Sequence, residues 1–286
     1  MANPPLVTPE WLHERLDTPD LVVLDASWYL PAAGRDPAAE YGAAHIPGAV
    51  RFDLDAVSDE TSPLPHMMPR PEVFAARMRA LGVGDGARIV VYDGMGLFSA
   101  PRAWWMLRTF GKREVAVLDG GLPAWIAAGF PTEDGEPHPR ERRHFTARLD
   151  NGAVADAGDI ARALETGSAQ VVDARSGARF RGEEAEPRPG VRPGHMPGAL
   201  NMHYAALQEG GRMKDPEALK AAFAENGIDP DRPIVTTCGS GVTAAIVSLA
   251  LESMGRPARA LYDGSWSEWG ADQARPVATG TESGGG

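Results

Sequence analysis

The chain alternates short apolar, β-branched runs with longer stretches of helical periodicity. Ile89–Tyr92 is followed by Ala100–Phe110, and Ile234–Thr237 by Val242–Met254, in which Ala and Leu recur with a period near 3.6 and Gly255 offers a C-cap. Leu21–Asp25 and Gln170–Asp173 are further apolar runs of strand length. Strands of four or five apolar residues interleaved with helices predict a mainly parallel sheet buried on both faces. The fold class is therefore α/β. Functional groups in such sheets gather at the carboxyl ends of the strands, positions held here by Asp25, Asp93, Asp119, Asp173, Cys238 and Asp263.

The pattern occurs twice. Leu21-Val-Val-Leu-Asp25 matches Gln170-Val-Val-Asp173, and His45-Ile-Pro-Gly-Ala49 matches His195-Met-Pro-Gly-Ala199. Ile89-Val-Val-Tyr-Asp93-Gly matches Ile234-Val-Thr-Thr-Cys238-Gly, and Leu118-Asp-Gly-Gly121 with Trp125 matches Tyr262-Asp-Gly-Ser265 with Trp269. The four pairs are collinear and stand 144 to 150 positions apart, about half the chain. They predict two homologous domains, residues 1–130 and 153–286, with a flexible tail from about residue 279. The stretch between them, 131–152, reads as a linker, because Phe130–Arg143 is rich in proline and charge and poor in apolar residues.

Composition narrows the chemistry. With 39 acidic and 28 basic side chains the net charge is −11, which argues against nucleic acid or an anionic membrane as a partner. The single cysteine among 286 residues excludes an internal disulfide framework, a cysteine-based zinc knuckle and a paired-thiol redox centre. The N-terminal MANPPLVTPEW lacks the basic start and apolar stretch of a signal peptide, and no apolar run approaches the ~20 residues that span a bilayer. A cytoplasmic location is the expectation. The seven histidines show no ligand-like spacing, so neither a metal nor a cofactor is expected.

Cys238 is where the chemistry concentrates. It ends a strand and opens Cys238-Gly-Ser-Gly-Val-Thr-Ala244, which runs into a helix. A strand–loop–helix turn of this kind aims successive backbone N–H groups at one point and adds the partial charge of a helix N-terminus. That environment favours a thiolate. A phosphatase of the C-x5-R type would need arginine at position 244, which is alanine. A cysteine–histidine hydrolase would need a histidine beside the sulfur, which spacing does not establish. The first-half counterpart of Cys238 is Asp93, so one half carries the nucleophile and the other does not.

The chain resembles the two-domain rhodanese superfamily of sulfurtransferases over nearly its whole length. The matching stretches are Asp25-Ala-Ser-Trp-Tyr-Leu-Pro31, His45-Ile-Pro-Gly, Ser99-Ala-Pro-Arg102 with Trp104-Trp105, Gly177-Ala-Arg179-Phe-Arg181-Gly, Glu186-Pro-Arg188, the Cys238 loop, and Tyr262-Asp-Gly-Ser-Trp266 with Glu268-Trp269. Thiosulfate-using members place two cations after the cysteine; Gly239-Ser240 supplies neither, so the loop is more similar to the mercaptopyruvate branch. The resemblance implies two tandem rhodanese-like domains and a Cys238 that takes sulfur from 3-mercaptopyruvate as a persulfide, releases pyruvate, and passes the sulfur to cyanide or to a thiol acceptor such as thioredoxin. It implies a relay of Ser240, His66 and Asp55 beside the cysteine. It also implies substrate binding by Arg179, Arg188 and the loop residues Gly239, Gly241, Val242 and Thr243.

Other residues read as structural. His45 and His195 recur in both halves, as a repeat-wide packing role requires, and Trp104, Trp105, Trp266 and Trp269 suit core packing. From spacing alone Arg179 and Arg188 do not stand out from the neighbouring Arg175, Arg181 and Arg192, and arginines of this kind mostly read as solvated surface. The alternatives carried forward are a thiosulfate sulfurtransferase and a catalytically idle binding module of the same fold.

Overall fold

The computed structural model describes residues 4–136, 138 and 140–280. The chain forms two compact units. In the first, β1 (Leu6–Val7), β2 (Leu21–Asp25), β3 (Val50–Arg51), β4 (Arg88–Tyr92) and β5 (Val115–Leu118) make a sheet in the order β1-β5-β4-β2-β3. Every adjacent pair is parallel, with Asp25 level with Tyr92. In the second, β6 (Val154–Ala155), β7 (Gln170–Asp173) and β8 (Leu200–Asn201) come first. The short strand β9 (Gln208–Glu209) follows, then, after β10 (Arg212–Met213), whose residues belong to the first unit, β11 (Ile234–Thr237) and β12 (Ala260–Tyr262). Its sheet runs β6-β12-β11-β7-β8, again parallel throughout. The two orders are the same permutation, so the repeat read in the sequence is a repeat of topology.

The central strands explain their own placement. β4 and β11 are the middle strands, and β11 is buried along its whole length, as apolar β-branched runs between two helix layers must be. One face of each sheet packs a cluster built on a tryptophan: Trp125 with Val23, Val90 and Leu118 in the first unit, Trp266 and Trp269 with Val171, Val235 and Tyr262 in the second. The helices after the central strands run Ala100–Thr109 and Ala244–Ser253, close to the predicted spans. Gly255 takes the left-handed conformation just past the second helix, whose C-cap is Met254.

The domain limits differ from the expectation in four places. Residues 131–150 contain no helix or strand among those described, but they pack with the first unit and are not a free linker. Glu133 bridges His45 through both backbone N–H···O bonds, and Phe145, 2 % exposed, packs edge-on against Phe74. An aromatic ring in an otherwise charged segment has apolar surface to bury, and that outweighs the composition around it. Thr61–Met67 belongs to the second unit and Gly210–Met213 to the first. Thr279 and Gly280, expected in the tail, are held: Gly280 N–H donates to Arg181 O at 2.9 Å. The remainder of that tail lies outside the described residues.

Candidate active site

Cys238 follows β11 directly and is 2 % exposed. The strand is fixed up to that point, because Thr237 O accepts from Ala174 N–H at 2.8 Å. Gly239 to Thr243 then turn the chain into the helix Ala244–Ser253, with Gly241 in the left-handed region at φ +79° and Val242 buried. Space at Gly239 is tight: a Cβ there would lie 3.1 Å from Arg179 Nη2. The guanidinium therefore lies against the loop that carries the sulfur.

The next crossover holds the loop from behind. Cys238 N–H donates to Ser265 Oγ at 3.3 Å, and the Ser265 hydroxyl donates to Tyr262 O at 2.8 Å. Trp266 N–H donates to Cys238 O at 2.9 Å. Ser267 reaches Gly239 O through its N–H at 2.9 Å and its hydroxyl at 2.6 Å. None of Ser265, Trp266 or Ser267 was singled out for this role by the sequence motifs. The available signal was a mismatch between repeats, Ser265 standing where the first half has Gly121.

His66 is part of the same unit and is buried. Its Nδ1 is hydrogen-bonded to the buried Ser240 Oγ at 3.0 Å, across 174 positions of sequence. His66 adopts φ +58°, a strained backbone for a residue with a side chain. Asp55, the third expected member of the relay, belongs to the first unit, where its Oδ2 accepts from Trp28 Nε1 at 3.1 Å.

Arg179 sits in an ion cluster. Its Nε and Nη2 donate to Glu186 at 3.2 and 2.5 Å, leaving Nη1 without a protein acceptor among the described residues. Arg175 also reaches Glu186, at 2.8 Å, and grips Asp173 at 2.6 Å. Arg175 corrects the sequence reading: it is fully buried and lies over the Trp266 ring at 4.4 Å. Burial opposes its charge, but Asp173 and Glu186 more than offset this and hold its pKa above the usual arginine value. Arg188 is half-buried on the loop after this cluster. The cluster of Arg175, Arg179, Asp173 and Glu186 is balanced in charge, so Arg179 offers direction more than surplus positive charge.

The loop of the first unit shows what such a turn holds. The Asp93 carboxylate, fully buried, accepts N–H bonds from Met95, Phe98, Ser99 and Ala100 at 2.8 to 2.9 Å. Four amides converge on the side chain that ends β4, as they do in an anion nest. His45 and His195 have the packing role expected of them. Each donates its Nδ1–H at 2.8 Å to a backbone carbonyl, of Tyr41 and Phe180 respectively, and stacks on that residue's ring.

Residues 8–128 and 156–272 each match the Rhodanese-like domain, and the chain belongs to that family of sulfurtransferase enzymes. It is 48 % identical to the 3-mercaptopyruvate sulfurtransferase of Escherichia coli K12, over 97 % of this chain and 99 % of that protein. The human 3-mercaptopyruvate sulfurtransferase is 45 % identical, with 94 % of each chain covered. The crystal structure of SseA from Escherichia coli, a 3-mercaptopyruvate sulfotransferase with the rhodanese fold, superposes with a TM-score of 0.84 at 45 % identity, covering 92 % of this chain and 99 % of that one. Among the described residues no helix is long and apolar enough to cross a membrane.

Proposed function

We propose that the protein transfers the sulfur of 3-mercaptopyruvate through a persulfide on Cys238. The observation that carries this reading is the placement of Arg179 against Gly239, with Nη1 left open beside an otherwise uncharged loop. A planar cation next to the nucleophile suits a donor whose carboxylate adjoins a ketone. The absence of a cation at 239 and 240 suits a monoanionic donor better than dianionic thiosulfate. The similarity to the Escherichia coli and human enzymes supports the same donor.

The Cys238 thiolate attacks the donor sulfur. The S–S bond forms as the C–S bond breaks, and the electron pair leaves on carbon as the enolate of pyruvate. That carbon takes a proton, while the proton of the donor thiol is released from the new persulfide. Ser240 and His66, hydrogen-bonded to each other at 3.0 Å, pass that proton or donate a hydrogen bond to the enolate oxygen in this reading. The loop amides from Gly239 to Thr243 receive the negative charge of the persulfide. A thiolate acceptor or cyanide then attacks the outer sulfur and returns Cys238 as thiolate; a dithiol protein such as thioredoxin supplies the second thiol that releases sulfide. Arg188 joins Arg179 in holding the donor carboxylate.

The test compares kcat/KM for 3-mercaptopyruvate and thiosulfate, with cyanide and with thioredoxin as acceptors. Faster turnover of 3-mercaptopyruvate is expected, and mass spectrometry of donor-treated protein shows a gain of one sulfur that Cys238→Ser abolishes. Faster turnover of thiosulfate, or a sulfur gain surviving in Cys238→Ser, overturns the proposal.

A further inference from the structure

We propose that Ser267 is a positioning residue for Cys238: by holding the Gly239 carbonyl on the outside of the loop, it keeps the Ser240 N–H aimed at the sulfur. As a statement about catalysis this rests on the persulfide reading above; as a statement about the thiolate it stands alone.

Gly239 O accepts two bonds from one residue, the N–H and the hydroxyl of Ser267, at 2.9 and 2.6 Å. Ser267 is buried. The C=O and N–H of a trans peptide point in opposite directions, so fixing Gly239 O also fixes the direction of Ser240 N–H. The peptide follows a glycine, whose freedom makes its rotation cheap, and a rotated peptide would present a carbonyl oxygen to the thiolate. A brace on that carbonyl is what prevents it.

The first unit shows where the amide points and why it needs no brace. Met95 stands at the position of Ser240, and its N–H donates to Asp93 Oδ1 at 2.8 Å, towards the side chain that ends the strand. There the carboxylate itself holds the amide. A thiol is a weak acceptor and a thiolate is lost whenever it reacts, so the second unit needs the orientation supplied from outside. Pro123 occupies the place of Ser267 in the first unit and has neither N–H nor hydroxyl. Gly94 O, the counterpart of Gly239 O, receives among the described residues only Arg35 Nη2, at 3.4 Å. By contrast, the bond from Trp266 N–H to Cys238 O has its equivalent in Leu122 N–H to Asp93 O at 3.0 Å. That bond belongs to the fold, whereas the Ser267 pair belongs to the reactive loop alone.

The test is the pH dependence of alkylation by iodoacetamide in the full chain, where Cys238 is the single thiol. Ser267→Pro, which copies the first unit and keeps a residue tolerated in the first helical turn, removes both donors. It is expected to slow alkylation at neutral pH about tenfold and to move the profile about one unit alkaline, one unit being a factor of ten in thiolate. Ser267→Ala keeps the N–H and falls between, and Ser267→Thr restores the wild-type profile. With 3-mercaptopyruvate, kcat falls in the same order while KM for the donor holds. Wild-type alkylation profiles in Ser267→Ala and Ser267→Pro overturn the proposal; if Ser267→Pro does not fold, Ala against Thr decides. Should wild-type protein take up no sulfur from either donor, the persulfide reading fails while the alkylation series still tests the brace.

Discussion

Gly121 and Ser265 occupy the same left-handed backbone position in the two repeats, at φ +54° and +51°. Glycine takes this conformation freely, whereas serine is strained there by about 1–2 kcal/mol. The serine is explained by its hydroxyl, which meets Cys238 N–H and Tyr262 O. Strain retained beside Cys238, where the repeat itself offers an unstrained alternative, fits the role proposed for that loop.

Ser265→Gly and Ser265→Ala separate these two effects. Both remove the hydroxyl, but only glycine relieves the backbone. Ser265→Gly is expected to be more stable than Ser265→Ala by about 1 kcal/mol in denaturant unfolding. Both variants should lose about tenfold in the rate of sulfur uptake, which a stopped-flow single turnover measures. An alanine variant as stable as the glycine variant would remove the case for strain.

Arg179→Lys tests whether direction or charge matters. Lysine keeps the charge but cannot hold Glu186 through two nitrogens while presenting a third to the donor. The expected result is a rise in KM for 3-mercaptopyruvate by tenfold or more, equivalent to about 1.4 kcal/mol or above, with the alkylation rate of Cys238 little changed. An unchanged KM would place the donor carboxylate elsewhere.

Asp93→Asn probes the silent loop. One carboxylate oxygen receives three N–H groups and the other receives one. An amide can offer oxygen to only one side, so its NH2 must face an N–H donor. The cost is about 1–3 kcal/mol of stability from one lost bond and one unsatisfied donor, read by thermal or urea unfolding. A variant as stable as wild type would mean that the nest is not held by its carboxylate.

How much of this was legible in the sequence follows from what each signal encodes. Strand ends and the repeat were readable because apolar runs and turn motifs are local, and Cys238 and Asp93 stood at matched ends. The His66–Ser240 contact was not readable from spacing, because nothing local relates residues 174 positions apart. It entered through family resemblance. Arg175 was misread because a buried and a solvated arginine have the same letter; only the carboxylates Asp173 and Glu186 distinguish them, and Glu186 arrives from a different loop. Phe145 was similarly hidden inside a charged segment. Ser265 and Ser267 were legible in principle, since comparing the repeats residue by residue exposes Gly121 against Ser265 and Pro123 against Ser267.

The same comparison yields a prediction about acid stability. Asp25 and Asp173 are matched strand-end carboxylates, but Asp173 has Arg175 at 2.6 Å whereas Asp25 has Ser27 at the corresponding position. Burial raises the pKa of Asp25; its bonds from Ser27 and Tyr92, and the more distant Arg51, oppose the shift without cancelling it. A carboxyl whose folded pKa exceeds its unfolded value binds its proton more tightly when folded. Its contribution to stability is therefore complete below the unfolded pKa and is lost as pH rises through the folded one, so at neutral pH the ionised group is a net cost. Asp25→Asn keeps an oxygen for Ser27 N–H, which donates to Oδ1 at 2.8 Å, and removes the buried charge. The variant is expected to be more stable than wild type at neutral pH by about 1 kcal/mol, with the advantage shrinking as the pH falls into the carboxylate range. Urea unfolding of both proteins across that range measures it. A difference that stays constant with pH would show that the substitution acts through packing and not through the charge.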